Sequence, residues 1–490
     1  MRIHTLPALA LAGVLAPLAL AACDLDVPDL NDPSLDDLKN HPSAISVGAA
    51  CTGLLIGNRG AKAAENGNVV QLGILGREAY NFDAADPRYI TELLVGELNA
   101  GSPFGGAFWG GSYANIQLGN VILGALDKVT DLSDDAKAAV RGFTRTINAL
   151  DLLEVVVTHD SNGAVLDVNP DPLGQLPPIV TDTAMQYAKI AGLLEDAVND
   201  LKAAAAGGDA FPFALGRGFA NFDTPTTFLT FNRAVRARIA AYTRDYAMAL
   251  TALGQSFIDD NPATLDVNDG VYYAYSTKPG DTPSALINPN IFVHPSIEAD
   301  AEHDAMNNPI DPRLLRKTDV AASPPGSARA TAGLPKRPDN SQLPVLTFKK
   351  LYPSPESSVP LIRNEELILL EAEARWFTND PAGAITAINN LRQVYKLTPI
   401  AAPAPTDNAG FVTALLHERE FSLLFEGGHR WIDVRRFQRQ LQEKFPDADK
   451  LPIFSTVDKD TGEKTPDTVN VRFPIPLSEC NARPTDAACM

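Results

Sequence analysis

A mainly α-helical fold is predicted for this chain of 490 residues. Three observations predict it. Apolar residues recur at helical spacing in eight segments, helix start and stop signals flank them, and three such segments follow one another with short breaks between residues 361 and 437. With 45% hydrophobic and 21% charged residues the chain can bury a substantial core. Its length suggests two or three domains. A formal net charge of −19 argues against a nucleic-acid surface, which needs clustered Lys and Arg. Neutral ligands or a protein partner fit that charge better.

At the N-terminus, Arg2 and His4 precede an apolar run from Leu6 to Leu20, followed by Ala21, Ala22 and Cys23. The run is short for a membrane span, which needs roughly twenty residues, and small residues precede a cysteine where a cleavage site is expected. Residues 1–22 therefore read as a lipoprotein signal peptide, and the mature chain as anchored through an acylated, palmitate-bearing Cys23. Residues 23–33, rich in Asp and interrupted by Pro28 and Pro33, form an acidic flexible tether. No later stretch is long and apolar enough to span a bilayer. Of the remaining cysteines, Cys480 and Cys489 could close a small C-terminal loop, while Cys51 resembles a buried small hydrophobe.

Residues 34–56 suggest a first helix, capped by Ser34 with Asp37 three residues on. Residues 57–111 are Gly-rich and read as loops and short helices. Helices are then expected near 113–129, 134–158 (capped by Ser133), 182–206 (capped by Thr181), 226–242, 244–259, 363–377, 382–395 and 410–426. These eight antiparallel helices can stack as four helix-turn-helix pairs of tetratricopeptide type, although no strict repeat is legible. The helical scaffold thus covers about 110–260 and 361–445. Proline density rules out regular helix over 261–360, an irregular loop-rich layer over the scaffold, within which Val271 to Tyr275 is strand-like. Residues 446–490 form a C-terminal tail.

The segment 361–437 carries charge on its apolar faces. Glu366 and Glu373 sit beside the stripe of Leu367, Leu370, Ala374 and Phe377; Asp380-Pro381 starts the next helix, flanked by Asn389 and Arg392; the third stops at Gly427-Gly428, and His429 restarts a helix.

The pattern Arg363, Glu366, Leu369, Ala372, Glu373, Ala374, then Ala384, Ile388, Asn389, Leu391, Arg392, then Glu418, Arg419, Glu426, Gly427, His429, Arg430, Trp431, Asp433, Val434, Arg435, Arg436 resembles the SusD/RagB family of nutrient-binding outer-membrane lipoproteins. Weaker echoes are Trp109, Tyr113, Ile116 and Asn120, then Asn232, Ala234, Ala237 and Arg238, and the ending Phe473 to Pro476 with Glu479. Two positions depart: Ser422 stands where the family usually has a glutamate, and Gly428 looks like an extra residue, which puts the local ion network in doubt. The resemblance implies a SusD-like domain over 34–490 and a surface lipoprotein of the outer membrane facing the cell exterior. It would capture oligomeric nutrients, glycans first among them, and hand them to a SusC-type TonB-dependent transporter.

Glu418, Glu420, Glu426, His429 and Asp433 would suffice on paper for hydrolysis. The accompanying arginines favour a structural reading in which Arg363, Glu366, Glu373, Arg392, Glu418, Arg419, Glu426, Arg430, Trp431 and Asp433 fix helix crossings, and Asn389 belongs with them. His417-Glu418 opens like a zinc-protease helix, but Phe421 stands where its second histidine would be. No catalytic residue, metal set or cofactor is called for. Sugar recognition needs aromatic faces with hydrogen-bonding neighbours. Tyr272, Tyr273 and Tyr275 with Asn268 and Asp269 supply these, and Tyr80, Asn81, Phe82, Arg88 and Tyr89 form a second set; packing within a strand explains the tyrosines equally well. The alternatives are the same scaffold binding peptides, a glycan hydrolase, and a ligand-free helical adaptor.

Overall fold

The computed structural model describes residues 35–83, 85–94, 96–168, 176–303, 310–320, 346–400, 405–440, 450–457 and 464–489; at 320, 438–440, 450–457 and 464–468 only the backbone is described. The expected signal peptide and tether, with Cys23 and Ser34, lie outside these residues.

The first predicted helix is two. Helix α1 (Leu35–Asn40) ends before Pro42, which lacks an N–H, and Ser43 restarts α2 (Ala44–Arg59) with a reciprocal cap in which Ser43 and Ser46 each accept the other's backbone N–H. After α3 (Asn68–Leu75), strand β1 (Ala79–Asn81) and a π-helical turn over 89–94 come the long helices. These are α4 (Gly110–Ala125), α5 (Asp134–His159), α6 (Thr183–Gly207), α7 (Pro225–Tyr242) and α8 (Tyr246–Leu253). Ser133 caps α5 as expected. The cap of α6 is Asp182 rather than Thr181: its carboxylate accepts from both Ala184 and Met185, a charge-assisted arrangement a hydroxyl cannot match. Helix α8 stops at Gly254, short of the expected 259, while Phe257 and Ile258 still pack on the core from a loop.

Short helices α9 (Pro295–Asp300) and α10 (Pro312–Lys317) lie in the proline-rich layer. Then follow α11 (Asn364–Phe377), α12 (Pro381–Val394, started by Asp380 as expected), α13 (Asn408–Ser422), α14 (His429–Gln440) and α15 (Leu477–Ala482). From α4 to α12 each long helix packs on the next in chain order, α4 on α5, α5 on α6, α6 on α7, α7 on α8, α8 on α11 and α11 on α12, and α13 packs on α11 and α14. Four tetratricopeptide-like pairs result, the third of them (α8 with α11) interrupted by the whole of 254–363. Amphipathic stripes drive this stacking, since each helix alone exposes an apolar face.

The layer is less irregular than its prolines suggest. Strand β5 (Ile291–Val293) pairs antiparallel with β1, setting Tyr80 opposite Phe292, and continues through β7 (Leu346–Thr347) to β6 (Asp319–Val320) in the order β1-β5-β7-β6. Strand β4 (Gly270–Tyr273) pairs with β8 (Val359–Arg363), with a register shift between Val271 and Tyr272. Two further antiparallel pairs join β2 (Ala164–Val165) to β3 (Ile179–Val180) and β9 (Lys450–Val457) to β10 (Lys464–Thr468). Cys480 and Cys489 are joined in a disulfide, and Cys51 is a buried free thiol.

The charged side chains of α11 to α14 are buried as ion pairs. Glu373 receives Nη1 and Nη2 of Arg436 at 2.6 and 2.8 Å; Asp433 receives Arg419 at 2.5 Å and Arg436 at 3.1 Å. Glu366 grips Arg238 of α7 at 2.6 and 2.7 Å. Arg363 holds Glu426 through two bonds of 2.9 and 3.0 Å, and Lys317 adds a third at 2.8 Å. Glu418 bridges Arg392 and Arg313. Arg430 pairs with Glu420, Trp431 donates its indole N–H to Asn470 O, and Asn389 accepts from Ile400 N. Neither Ser422 nor Gly428 breaks these pairs. The carbonyl of Ser422 accepts from Lys317 and Arg363, and Asp311 neutralises Arg313 from the other side. Gly428, at φ +81°, lets the turn lie on α3, where a Cβ would fall 2.3 Å from that of Leu72.

Removing one partner of a buried pair leaves an uncompensated charge. Glu373→Ala is expected to lower unfolding free energy by about 3–5 kcal/mol in urea denaturation, and Glu373→Leu combined with Arg436→Met to restore most of that loss.

Candidate functional site

Among the described residues, a cleft of about 600 Å³ opens between α2, the loop 214–219, strand β4 and the loop 276–281. Its chemistry follows from how each wall is held. Gly218 passes under β4 so closely that a Cβ there would lie 2.0 Å from the carbonyl oxygen of Tyr272, so only glycine lets the loop reach the strand. Next to it, Phe219 packs on Phe228 and Phe231 of α7, with ring centroids at 5.9 and 5.6 Å. On β4 the register shift at Val271 and Tyr272 interrupts strict alternation, and the consecutive residues Tyr272 and Tyr273 both line the cleft. The Tyr272 hydroxyl donates to Asn268 O, and the Lys62 ammonium lies 5.8 Å from the centre of the Tyr273 ring.

The rim is polar. Arg59 bonds Ala274 O at 2.5 Å and pairs with Asp281 at 2.6 Å; Ser276 donates to the other oxygen of Asp281 at 2.6 Å. The hydrogen bonds from Ser276 and Arg59 hold the Asp281 carboxyl down at about 2. Arg217 donates to the carbonyls of Tyr275 and Glu356. The floor reaches into the core: Asn58 donates to one oxygen of Asp151 at 2.7 Å and Asn115 to the other at 2.6 Å. Burial pushes Asp151 up to about 7, against the pull of both amides.

Of the first predicted tyrosine set, Tyr272 and Tyr273 line this cleft, whereas Tyr275 is 1% exposed, its hydroxyl donating to Arg59 O and its ring under the Arg59 guanidinium at 5.3 Å. Asn268 and Asp269 are exposed on the approach to β4 and do not line it. The second set divides. Tyr80 stacks on Phe292 at 5.3 Å, Tyr89 packs on Phe104 at 4.8 Å, and both are buried along with Asn81. These three, with Tyr275, are therefore packing residues, because cross-strand and core contacts already cover their rings and side chains. Phe82 and Arg88 are half-buried, Arg88 paired with Asp86 and 5.4 Å from the Phe104 ring centre, and neither lines the cleft. Sequence reasoning missed Phe219, Arg217 and Asn58; the Gly216 and Gly218 spacing was the available signal.

Glu418, Glu420, Glu426 and Asp433 are buried under their arginine or lysine partners, and His429 is buried beside Glu366. Burial alone would raise Asp433 and Glu366, but Arg419 and Arg436 hold the first below its usual value and Arg238 holds the second at about 2. Burial lowers His429 to about 4, and raises Glu420 to about 8. His417 packs on Phe421 at 5.0 Å between ring centres, the rings tilted by 60°. Trp109 and Trp431 are core residues as expected; Trp376 is half-buried, stacked on Phe411 at 4.2 Å. No His, Cys, Asp and Glu group among the described residues could hold a metal ion, and no helix among them is long and apolar enough to cross a membrane.

Helix pairs stacked in series, a strand-stitched layer across them and buried arginine–carboxylate clusters at their crossings define a SusD-like fold. Residues 354–485 match the family model described as the SusD family. Across nearly the whole chain the fold is similar to solved SusD-like structures. A SusD-like carbohydrate binding protein from Bacteroides fragilis NCTC 9343 superposes with a TM-score of 0.64 at 17% identity, over 91% of this chain and 99% of that one. A laminarin binding SusD-like protein gives 0.58 at 17% identity, over 90% and 97%, and NanU of B. fragilis 0.58 at 14%, over 92% and 97%. No curated protein matches the chain.

Asp151 gives the site a pH signature. An unfolded aspartate releases its proton near pH 3.9, whereas the folded one holds it to about 7, so between these values the native state binds the extra proton. Stability from this group is present below pH 4 and is lost as pH rises towards 7. Urea midpoints at pH 4.5 and pH 7 should show the decline in the parent protein exceeding that in Asp151→Asn.

Proposed function

We propose that the protein binds oligomeric glycans at the outer-membrane surface, anchored through Cys23, and delivers them to a SusC-type TonB-dependent transporter without chemically altering them. The observation that carries this reading is the cleft. Its volume suits a few sugar units, aromatic Phe219, Tyr272 and Tyr273 offer apolar surface, and Asn58, Arg59, Ser276 and Asp281 offer hydrogen-bonding groups beside it. The likeness in fold to a laminarin binding protein and to a carbohydrate binding protein supports it. The acids that would serve a hydrolase are engaged by arginines away from the cleft, which supports a role in binding without catalysis. A lid over a transporter barrel needs tethering as well as contact; an acyl anchor together with a large protein interface supplies both.

Isothermal titration against a panel of oligosaccharides and peptides tests the reading. Saturable binding of at least one oligosaccharide is expected, weakened about tenfold or more by Tyr273→Ala, corresponding to a loss of about 1.4 kcal/mol. Binding of peptides only, binding of nothing, or glycan turnover that vanishes in Glu418→Ala or Glu426→Ala would each overturn it.

A further inference from the structure

The protein as a whole carries a formal charge of −19, yet its cleft does not share that sign. Three cations line it, Arg59, Arg217 and Lys278, against two carboxylates, Asp281 and Glu356. Both carboxylates have partners in the wall, and the lining as a whole is left with one positive charge in excess. Asp281 is held by Arg59 and Ser276, each at 2.6 Å, and Glu356 accepts the Thr277 hydroxyl at 3.0 Å. Among the described residues no carboxylate pairs with Arg217, whose contacts there are the backbone carbonyls of Tyr275 and Glu356 through one terminal nitrogen. Its other terminal nitrogen and its Nε are left as donors in a planar fork, the geometry that matches a carboxylate through two parallel bonds.

This guanidinium is also held in place. Gly216, at φ +78°, and Gly218, locked beneath Tyr272 O, fix the loop on either side of it, and the two carbonyl bonds tie its tip to Tyr275, two residues past β4, and to residue 356. A cation so positioned loses little side-chain freedom when it meets an anion, which raises the return on each bond formed. Beyond about 8 Å at physiological salt the surrounding negative charge is screened, so a bound anion is governed by these local cations.

We infer that the cleft selects acidic oligosaccharides, chains of sugars bearing carboxylate groups, with Arg217 as the residue that recognises the carboxylate and Tyr272 and Tyr273 contacting the rings. This rests on the glycan-binding reading above and names the class of glycan.

Two pairs of probes separate charge from sugar: oligogalacturonate and oligomannuronate tetramers, each with its neutral methyl ester, added to the full chain at low and high salt beside a neutral glucan series. The acid of at least one pair is expected to bind tenfold or more tighter than its ester at 20 mM NaCl, with the preference shrinking at 500 mM. Arg217→Gln should remove the preference by weakening the acids tenfold or more beyond any loss seen with their esters, and Lys278→Gln should reduce it less; melting curves matching the parent exclude misfolding. Esters binding as well as acids, or neutral glucans binding while both acids fail, overturns the selectivity and leaves glycan binding standing. Failure of every glycan overturns both.

Discussion

Buried charge pairing is the constraint on which the rest of this structure depends. Helices α7, α11, α13 and α14 each place arginines or carboxylates on faces that stacking must cover, and a charge so covered is tolerable only when its partner arrives in the correct geometry. Arg238 on α7 finds Glu366 on α11; Arg436 on α14 finds Glu373 on α11; Arg419 on α13 finds Asp433 on α14. Leucines at those positions would permit a range of crossing angles. Bidentate arginine–carboxylate bonds permit few, so helices far apart in sequence are brought to one fixed arrangement.

Two of these contacts extend the constraint into the proline-rich layer. Arg363 ends β8 and begins α11, and its guanidinium joins Glu426 to the carbonyl of Val267, so the strand pair β4–β8 is set by the same cluster that sets the helices. Lys317 ties α10 to Glu426 as well. The cleft lies along β4, so that wall is tied to the scaffold beneath it. Function and stability therefore occupy adjacent but separate chemistry: paired charges below, aromatic and partly unpaired polar groups above.

What the sequence revealed followed from period and capping. Ser133, the Asp380-Pro381 start and the stripes of α5, α11 and α12 made those helices legible within a few residues, and the arginines that accompany Glu418 and Asp433 favoured ion pairing there without giving its partners. Strands of two or three residues such as β6 and β7 carry no period, and their partners lie far along the chain, so the sheet β1-β5-β7-β6 was not legible. Tyr80 and Tyr89 could not be told from Tyr272 by residue type, since an aromatic ring suits a core and a sugar face alike; only the positions of Phe292 and Phe104 decide. The cleft itself was half visible. Its tyrosines stood out, but Arg217 and Phe219 sit in a short glycine-punctuated loop whose approach to β4 is a tertiary fact.

The interruption of the third helix pair bears on how the chain folds. Helices α4 to α8 each meet a partner next to them in sequence, whereas the further packing of α8 on α11 waits for a helix on the far side of residues 254–363. Such a non-local docking slows folding, because the loop closes before its contacts reward closure. The thermodynamic penalty grows only slowly, by about 0.6 kcal/mol for each doubling of loop length. A slow step that is nearly indifferent to the length of the intervening segment leaves that segment open to insertion and deletion across generations while α8 and α11 go on meeting in the same way.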